Sequence, residues 1–336
     1  MSINIPPVMN KKQKQKTRYN WKTEEILKIL ETPLLDLLHR AREVHKLHHK
    51  KDFIQRATLL SVKTGGCPED CAYCPQSAHY NTDIKKEKKL DVKTVVKVAK
   101  SAKDNGASRF CMGAAWREVK DGPEFDSILT MVRNVKALGM ETCVTLGMLN
   151  KKQAEKLADA GLTAYNHNID TSPNFYKTII TTRTFKDRLK TLRHVHSAGI
   201  SVCSGGIIGM GETNRDRCSM LKILSNIKPH PESVPINILV KAKGTPLAEQ
   251  PNIESIDIVR MCATARILMP KARVRLSAGR SELSRETQIL CFLAGANSIF
   301  YGEKLLTTKN NDCLEDVRLL KDIGIKVSHS PKSAQN

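Results

Sequence analysis

The stretch DNGASRFCMGAA, residues 104–115, reads as two elements joined with almost no loop. An amphipathic helix ends at Gly106, which supplies the left-handed residue a helix C-terminus favours. The apolar run that starts at once is too short for a helix and reads as a buried strand. The same order recurs in ALGMETCVTLG (137–147), DAGLTAYNHNID (159–170), SAGISVCSGGII (197–208) and LAGANSIFYG (293–302). With LLSVKT (59–64), SVPINILVK (233–241) and RVRLSAG (273–279) there are eight strands. Helical patterns lie between them at 92–103, 125–138, 153–160, 185–198, 218–227, 256–269 and 286–293, and LEDVRLLKDIG (314–324) is the last. Strand–helix alternation without hairpin signals means parallel strands joined by right-handed crossovers. Eight such units predict an α/β fold, a (β/α)8 TIM-type barrel, in preference to an open sheet.

Outward from the barrel, the pattern predicts a disordered basic tail over 1–22, including NKKQKQK (10–16). A short N-terminal helical extension follows over 23–50, carried by TEEILKILET and LLDLLHRAREVHKLHH. The barrel then occupies 51–325 and a flexible tail 326–336. His45, His48 and His49 fall on a charged helix end, where histidines are more often solvated than ligands.

The chain has 336 residues, 40% hydrophobic, with no run of eighteen apolar residues and no signal-peptide pattern at its start. A cytoplasmic protein without a membrane span is expected, and there ten cysteines bind metal or do chemistry more readily than they form disulfides. The net charge of +21 invites a nucleic-acid partner, but 4% aromatic residues leave few rings for base stacking. No nucleic acid is therefore expected, and an anionic small substrate suits the charge equally well.

Buried parallel strands are normally continuous apolar runs. Here Asn166, Asn168 and Asp170 share one face of a strand, Arg273, Arg275 and Ser277 share a face of another, and Asn237 interrupts a third. Either these groups satisfy one another or they line a polar cavity for a ligand rich in hydrogen-bonding groups; three strands breaking the rule together favour the cavity. Cys111, Cys143 and Cys203 fall in three different strands. Each alone reads as a small buried hydrophobe, while together on the inner face they would make a thiolate site, and the sequence leaves both open. Cys218, Cys262, Cys291 and Cys313 lie in or near helices and read as core.

After the first strand comes GGCPEDCAYCPQS (65–77), with Cys67, Cys71 and Cys74. Three soft thiolates from one loop suit zinc or an iron–sulfur cluster and leave one metal position open for a small molecule. His79 is the only local candidate for a fourth ligand and follows no usual spacing.

This Cys-x3-Cys-x2-Cys motif resembles that of the radical S-adenosylmethionine (SAM) superfamily. There the three cysteines hold a [4Fe-4S] cluster whose fourth iron is chelated by SAM. Tyr73 matches the aromatic residue beside the adenine. GGIIGMGE matches a second superfamily motif at Gly205, Ile207, Gly209 and Glu212, which borders the adenosine. Over about residues 20–325 the chain is similar to the biotin synthase family in the blocks SVKTGGCPEDCAYCPQS, RFCMGAAWRE, YNHNIDTSPNFY, IITTRT, ESVPINILVKAKGTPL, VRLSAGR and AGANSIFYGEKLLTT.

That resemblance implies a second, [2Fe-2S] cluster on Cys111, Cys143, Cys203 and Arg275. It implies SAM cleavage to a 5′-deoxyadenosyl radical that takes hydrogen from dethiobiotin, with sulfur given up by the second cluster to form biotin. For SAM it implies Asn168 and Asp170 at the ribose and Arg188 at the carboxylate. For dethiobiotin it points to Asn168 and Asn237 at the ureido ring, with Lys63, Thr307 and Thr308 as further contacts. A reducing electron donor protein and a homodimer are the implied partners. The nearest rival is a one-cluster radical SAM enzyme, in which the strand cysteines are core. A zinc- or RNA-binding module is the rival from another class.

Overall fold

The computed structural model describes residues 17–50 and 53–327. Helices α1 (Thr23–Leu30) and α2 (Leu34–His48) precede eight β–α units. The units begin with β1 (Gln55–Lys63) and α3 (Val92–Asp104), β2 (Arg109–Ala114) and α4 (Pro123–Ala137), then β3 (Glu141–Thr145) and α5 (Lys151–Asp159). The fourth has β4 (Ala164–Asn166) with α6 (Tyr176–Ile179) and α7 (Phe185–Ser197), and the fifth β5 (Ser201–Cys203), β6 (Gly206–Ile208) and α8 (Asn214–Asn226). The last three are β7 (Ser233–Ile238) with α9 (Ser255–Leu268), β8 (Arg273–Leu276) with α10 (Arg285–Leu293), and β9 (Ser298–Phe300) with α11 (Cys313–Asp322). All neighbouring strands are parallel, in the order β5-β4-β3-β2-β1-β9-β8-β7-β6, and a β5–β7 pairing closes the ring. The closed (β/α)8 barrel is the one the alternation predicts.

The expected fifth strand is two segments rather than one. Its register against β7 is unbroken, with Cys203 opposite Ser233 and Gly206 opposite Ile236. The gap therefore faces Pro235, which has no N–H to give to the ladder. Gly205 passes so close to β7 that a Cβ there would stand 1.9 Å from the Pro235 carbonyl oxygen. The helices α5 and α8 start two and four residues earlier than their apolar periodicity predicts, because capping boxes fix both starts. Asn150 pairs with Gln153, and Thr213 with Asp216.

Outward-facing strand residues such as Phe110, Met112, Val144, Tyr165, Val234, Val274 and Ile299 are buried under the helices in one continuous core. Each contributes on the order of 1.5–3 kcal/mol. Inside the barrel is a separate cluster of small side chains, Ala57, Cys111, Cys143, Ala164 and Cys203, flanked by Leu59 and Phe300. Among the described residues no helix is long and apolar enough to cross a membrane.

Residues 1–16 of the predicted basic tail, 51–52, and 328–336 of the predicted C-terminal tail lie outside the described residues. From Arg18 onward the chain is held against the barrel. The Asn226 side chain accepts from the Trp21 N–H at 2.9 Å and donates to its carbonyl at 3.0 Å, and the Arg18 guanidinium lies 4.0 Å from the Trp21 ring centre. The solvated reading of His45 is corrected too. His45 is buried and stacks on His49, whose Nε2 stands 2.6 Å from Arg266 Nη1. Burial, with Arg266 nearby, pushes His45 down to about 3 and His49 down to about 4, so both are neutral.

Candidate active site

The barrel interior is built in floors, because strand side chains alternate and in-register neighbours stack their inward residues. The lowest floor, at the strand N-termini, is ionic. Arg109 donates through Nε to Glu141 at 2.8 Å and through Nη2 to Glu232 at 3.0 Å, and Arg273 bridges the same two carboxylates at 2.9 and 2.6 Å. Gln55 adds a bond to Glu141 at 2.8 Å.

Two residues further along the strands come the thiols. Cys111 and Cys143 are register partners, and Cys143 stands in thiol hydrogen-bond reach of both Cys111 and Cys203. Arg275 Nη1 lies 4.0 Å from Cys203 Sγ. Its other nitrogens are fixed by Ser298 Oγ at 2.9 Å and Gln55 Oε1 at 3.1 Å, and the guanidinium lies 5.0 Å from the centre of the Phe300 ring. Asn166 Nδ2 donates to Cys203 Sγ at 3.3 Å. Hydrogen bonding from Cys143, helped by the charges of Arg275 and Arg109, outweighs burial and brings Cys203 down to about 6. Cys111 is lowered for the same reasons, while Cys143, whose one S–H serves its two neighbours, is raised. Three buried sulfurs, two of them favouring the thiolate, suit iron, and the two guanidiniums nearby offset the negative charge of thiolates and sulfides, so the donor set fits an iron–sulfur cluster.

At the strand C-termini the loop 64–80 carries the other three cysteines. Gly65 and Gly66 both take left-handed conformations, at φ 70° and 66°, which turn the chain sharply out of β1. The loop then folds onto itself, with the Cys67 N–H on the Gln76 carbonyl at 2.9 Å and the Ala78 N–H on the Cys67 carbonyl at 2.7 Å. It is clamped to the segment after α6 by Asp70, which accepts from the N–H groups of Thr181 and Thr182 at 3.0 and 3.1 Å. Burial opposes ionisation of Asp70, but these bonds and those from the threonine hydroxyls prevail and hold it at about 2. Buried Glu69 pairs with Arg117 at 3.2 Å and with Arg183 at 3.5 Å. Burial raises all three thiols, Cys74 up to about 12. Arg183 Nη2 lies 3.9 Å from Cys71 Sγ, and the charge of Arg188 also favours the thiolate there. Three thiols around one turn at a barrel mouth fit a cluster with one open iron. Among the described residues no three or more His, Cys, Asp or Glu side chains are grouped to hold a single metal ion.

Between the two thiol sets lies the polar row. Tyr73 donates its hydroxyl to Asp170 Oδ2 at 2.9 Å, and Arg188 forms an ion pair with the same oxygen. Asp170 is the sole non-glycine residue at positive φ among those described, at 66°, a strained conformation of the kind that collects at functional sites. Arg188 is also committed to Tyr176 Oη at 2.8 Å and the Asn168 carbonyl at 2.7 Å. Asn168 Oδ1 accepts from the Gly205 N–H at 3.1 Å and from Asn166 at 3.3 Å. Asn237 donates to the Gly206 carbonyl at 2.8 Å and accepts from the Ala278 N–H at 3.2 Å, keeping one N–H and one lone pair for a ligand. Ile207 is half-buried beside this row.

A relative from Methylorubrum populi named biotin synthase is 64% identical over 94% of this chain and 92% of its own. One from Synechococcus elongatus is 63% identical over 91% and 96%. The chain belongs to the biotin synthase family. The radical SAM superfamily profile matches residues 61–224, and that of the biotin and thiamin synthesis associated domain matches 235–326. Among solved structures the fold is similar to methylornithine synthase, with a TM-score of 0.75 at 18% identity over 93% of this chain and 95% of that one. It is also similar to an FeFe-hydrogenase maturase of Carboxydothermus hydrogenoformans, with a TM-score of 0.76 at 17% identity over 91% and 75%.

Within this family member, Cys67, Cys71 and Cys74 share one loop, and Cys111, Cys143, Cys203 and Arg275 share one floor. Glu212 is placed differently from a free adenosine contact. Its carboxylate accepts from the N–H groups of Gly209 and Met210 and from Arg217 Nε at 2.7 Å, so it shapes the turn. Lys63 donates to the Gly65 and Ala115 carbonyls at 2.8 and 3.0 Å and braces the cysteine loop. Thr307 and Thr308 are half-buried in the loop after β9, where Leu306 lies over Gly113 at the barrel mouth. Sequence reasoning missed Tyr176, Arg183, Glu69 and Arg109. Arg109 alone carried a signal, since it shares the face of Cys111.

Proposed function

We propose that the protein converts dethiobiotin to biotin as a radical SAM sulfur-inserting enzyme. Cys67, Cys71 and Cys74 hold the [4Fe-4S] cluster to which SAM binds, and Cys111, Cys143, Cys203 and Arg275 hold the [2Fe-2S] sulfur source. The observation that carries this is vertical: one thiol set closes the barrel mouth and the other lies on the floor beneath it, with the polar row between. When bound, the two clusters and SAM supply what no side chain can, one-electron cleavage of SAM to break unactivated C–H bonds and a sulfur atom to replace them.

The chain's own residues bind and orient. Asp170, held by Tyr73 and Arg188, presents its remaining lone pairs to the ribose hydroxyls, and Asn168 offers its amide nitrogen to the ribose or the ureido ring. The open N–H and lone pair of Asn237 match a planar urea, which has both donors and an acceptor. Arg188 spends three of its five N–H groups on Tyr176, Asn168 and Asp170, and the second N–H of each terminal nitrogen is left for the SAM carboxylate. Lys63, Thr307 and Thr308 stand at the rim where a substrate carboxylate would leave the barrel. The ionic floor below the thiols excludes water from that end. Reduction by an electron donor protein, a homodimer and a cytoplasmic location complete the reading.

The test is anaerobic reconstitution with iron and sulfide, then incubation with reductant, SAM and dethiobiotin. About six irons per chain, and 5′-deoxyadenosine together with biotin, are expected. About four irons, or deoxyadenosine without biotin, would overturn the sulfur-source reading while leaving a radical SAM enzyme.

A further inference from the structure

Two buried donors face the thiol floor without a partner. Arg109, 1% exposed, commits Nε to Glu141 and Nη2 to Glu232, and its Nη1 has no hydrogen-bond partner. The Ser233 hydroxyl, fully buried, has none either. Neither position is accidental. Arg109 precedes Cys111 by two residues on β2, so both side chains point into the barrel. Ser233 on β7 is the register partner of Cys203 on β5, so it shares the inward face of that cysteine. Native proteins rarely leave buried donors unpaired, and an orphan at a site points to an absent acceptor.

We infer that Arg109 and Ser233 are positioning residues that donate hydrogen bonds to the sulfur atoms of the group held by Cys111, Cys143, Cys203 and Arg275. This rests on the proposed function and adds to it. The four ligands hold the irons, and these two donors address the sulfides that leave. Hydrogen bonds to cluster sulfur favour the more negative state and raise the reduction potential. They thereby set when, during turnover, the group accepts an electron and loosens a sulfide. Arg109 joins this to the ionic floor, since the guanidinium that reaches the sulfur is anchored by Glu141 and Glu232.

The variants are Ser233→Ala, which removes one hydroxyl, and Arg109→Lys, which keeps the charge for the floor but loses the fork. Each is reconstituted as the full chain, and its iron content, melting temperature and second-cluster reduction potential are measured beside the unsubstituted protein. The expected result is a potential more negative in both variants, with iron content unchanged. A merely structural role would leave the potential where it is. If both potentials match the unsubstituted protein at equal iron content, the inference is overturned and the proposed function stands. If the unsubstituted protein holds no second cluster, the proposed function falls and takes the inference with it. Should Arg109→Lys fail to fold, Ser233→Ala decides alone.

Discussion

Cys67, Cys71 and Cys74 lie within eight positions of one loop, whereas Cys111, Cys143 and Cys203 come from three separate strands. The loop thiols are held by hydrogen bonds of their own backbone and by the Asp70 clamp, and burial keeps them protonated. The strand thiols are held by sheet register, and two of them lie between guanidiniums that favour the thiolate. A loop can be remade around a cluster and a co-bound molecule. A floor of strands cannot move without opening the barrel, so its ligands are fixed before anything binds. The first arrangement suits a site that must admit SAM at every turnover; the second suits a store enclosed until it is used.

The largest effect expected from breaking this comparison is at the loop. Cys71→Ala should abolish both 5′-deoxyadenosine and biotin formation while about two irons remain on the strand set, measured by product chromatography and iron analysis. Loss of all iron would mean that the two sets are not independent. Arg275→Cys makes the strand set resemble an all-thiolate site. It should hold its cluster more tightly and slow biotin formation by about tenfold while leaving uncoupled SAM cleavage intact. Normal turnover with no gain in cluster stability would show that the guanidinium is not the weak ligand.

Smaller effects test the clamp. Asp70→Ala should destabilise the iron-free protein by about 1–2 kcal/mol in urea unfolding and speed iron loss from the loop set only. The pH dependence has a definite sign. Asp70 lies at about 2 in the folded protein against an ordinary 3.8, so its stabilisation is complete above about pH 4 and is lost as the pH falls towards 2. In Asp70→Asn that part of the slope should vanish. His45 and His49 act higher, because their neutral forms are the buried ones. Their stabilisation is present above the ordinary 6.5 and is lost as the pH falls towards 4 and then 3, through which range His45→Gln should flatten the curve.

Much of the barrel was legible because its signals are local: the apolar strand runs recur eight times, and five of them follow a helix-terminal glycine. Helix starts set by capping boxes, as at Thr213, were read late, since polar first turns hide from a periodicity of apolar residues. The break in the fifth strand was invisible because its cause, Pro235, lies on a different strand. The loop cysteines were legible for the same reason the glycines were: their spacing is the site. The strand cysteines were legible only through the family resemblance, since a lone cysteine in a strand is most often core.

By itself, then, the sequence determined the alternation, the three-cysteine loop and which strand residues break the apolar rule, all of which depend on neighbours along the chain. Only the tertiary structure decided that Cys111, Cys143, Cys203 and Arg275 share one floor, that Glu212 is already committed and Arg188 partly so, and that Arg109 and Ser233 face the sulfur site with a donor unpaired. Those facts depend on register between strands far apart in sequence, and register is set when the barrel closes.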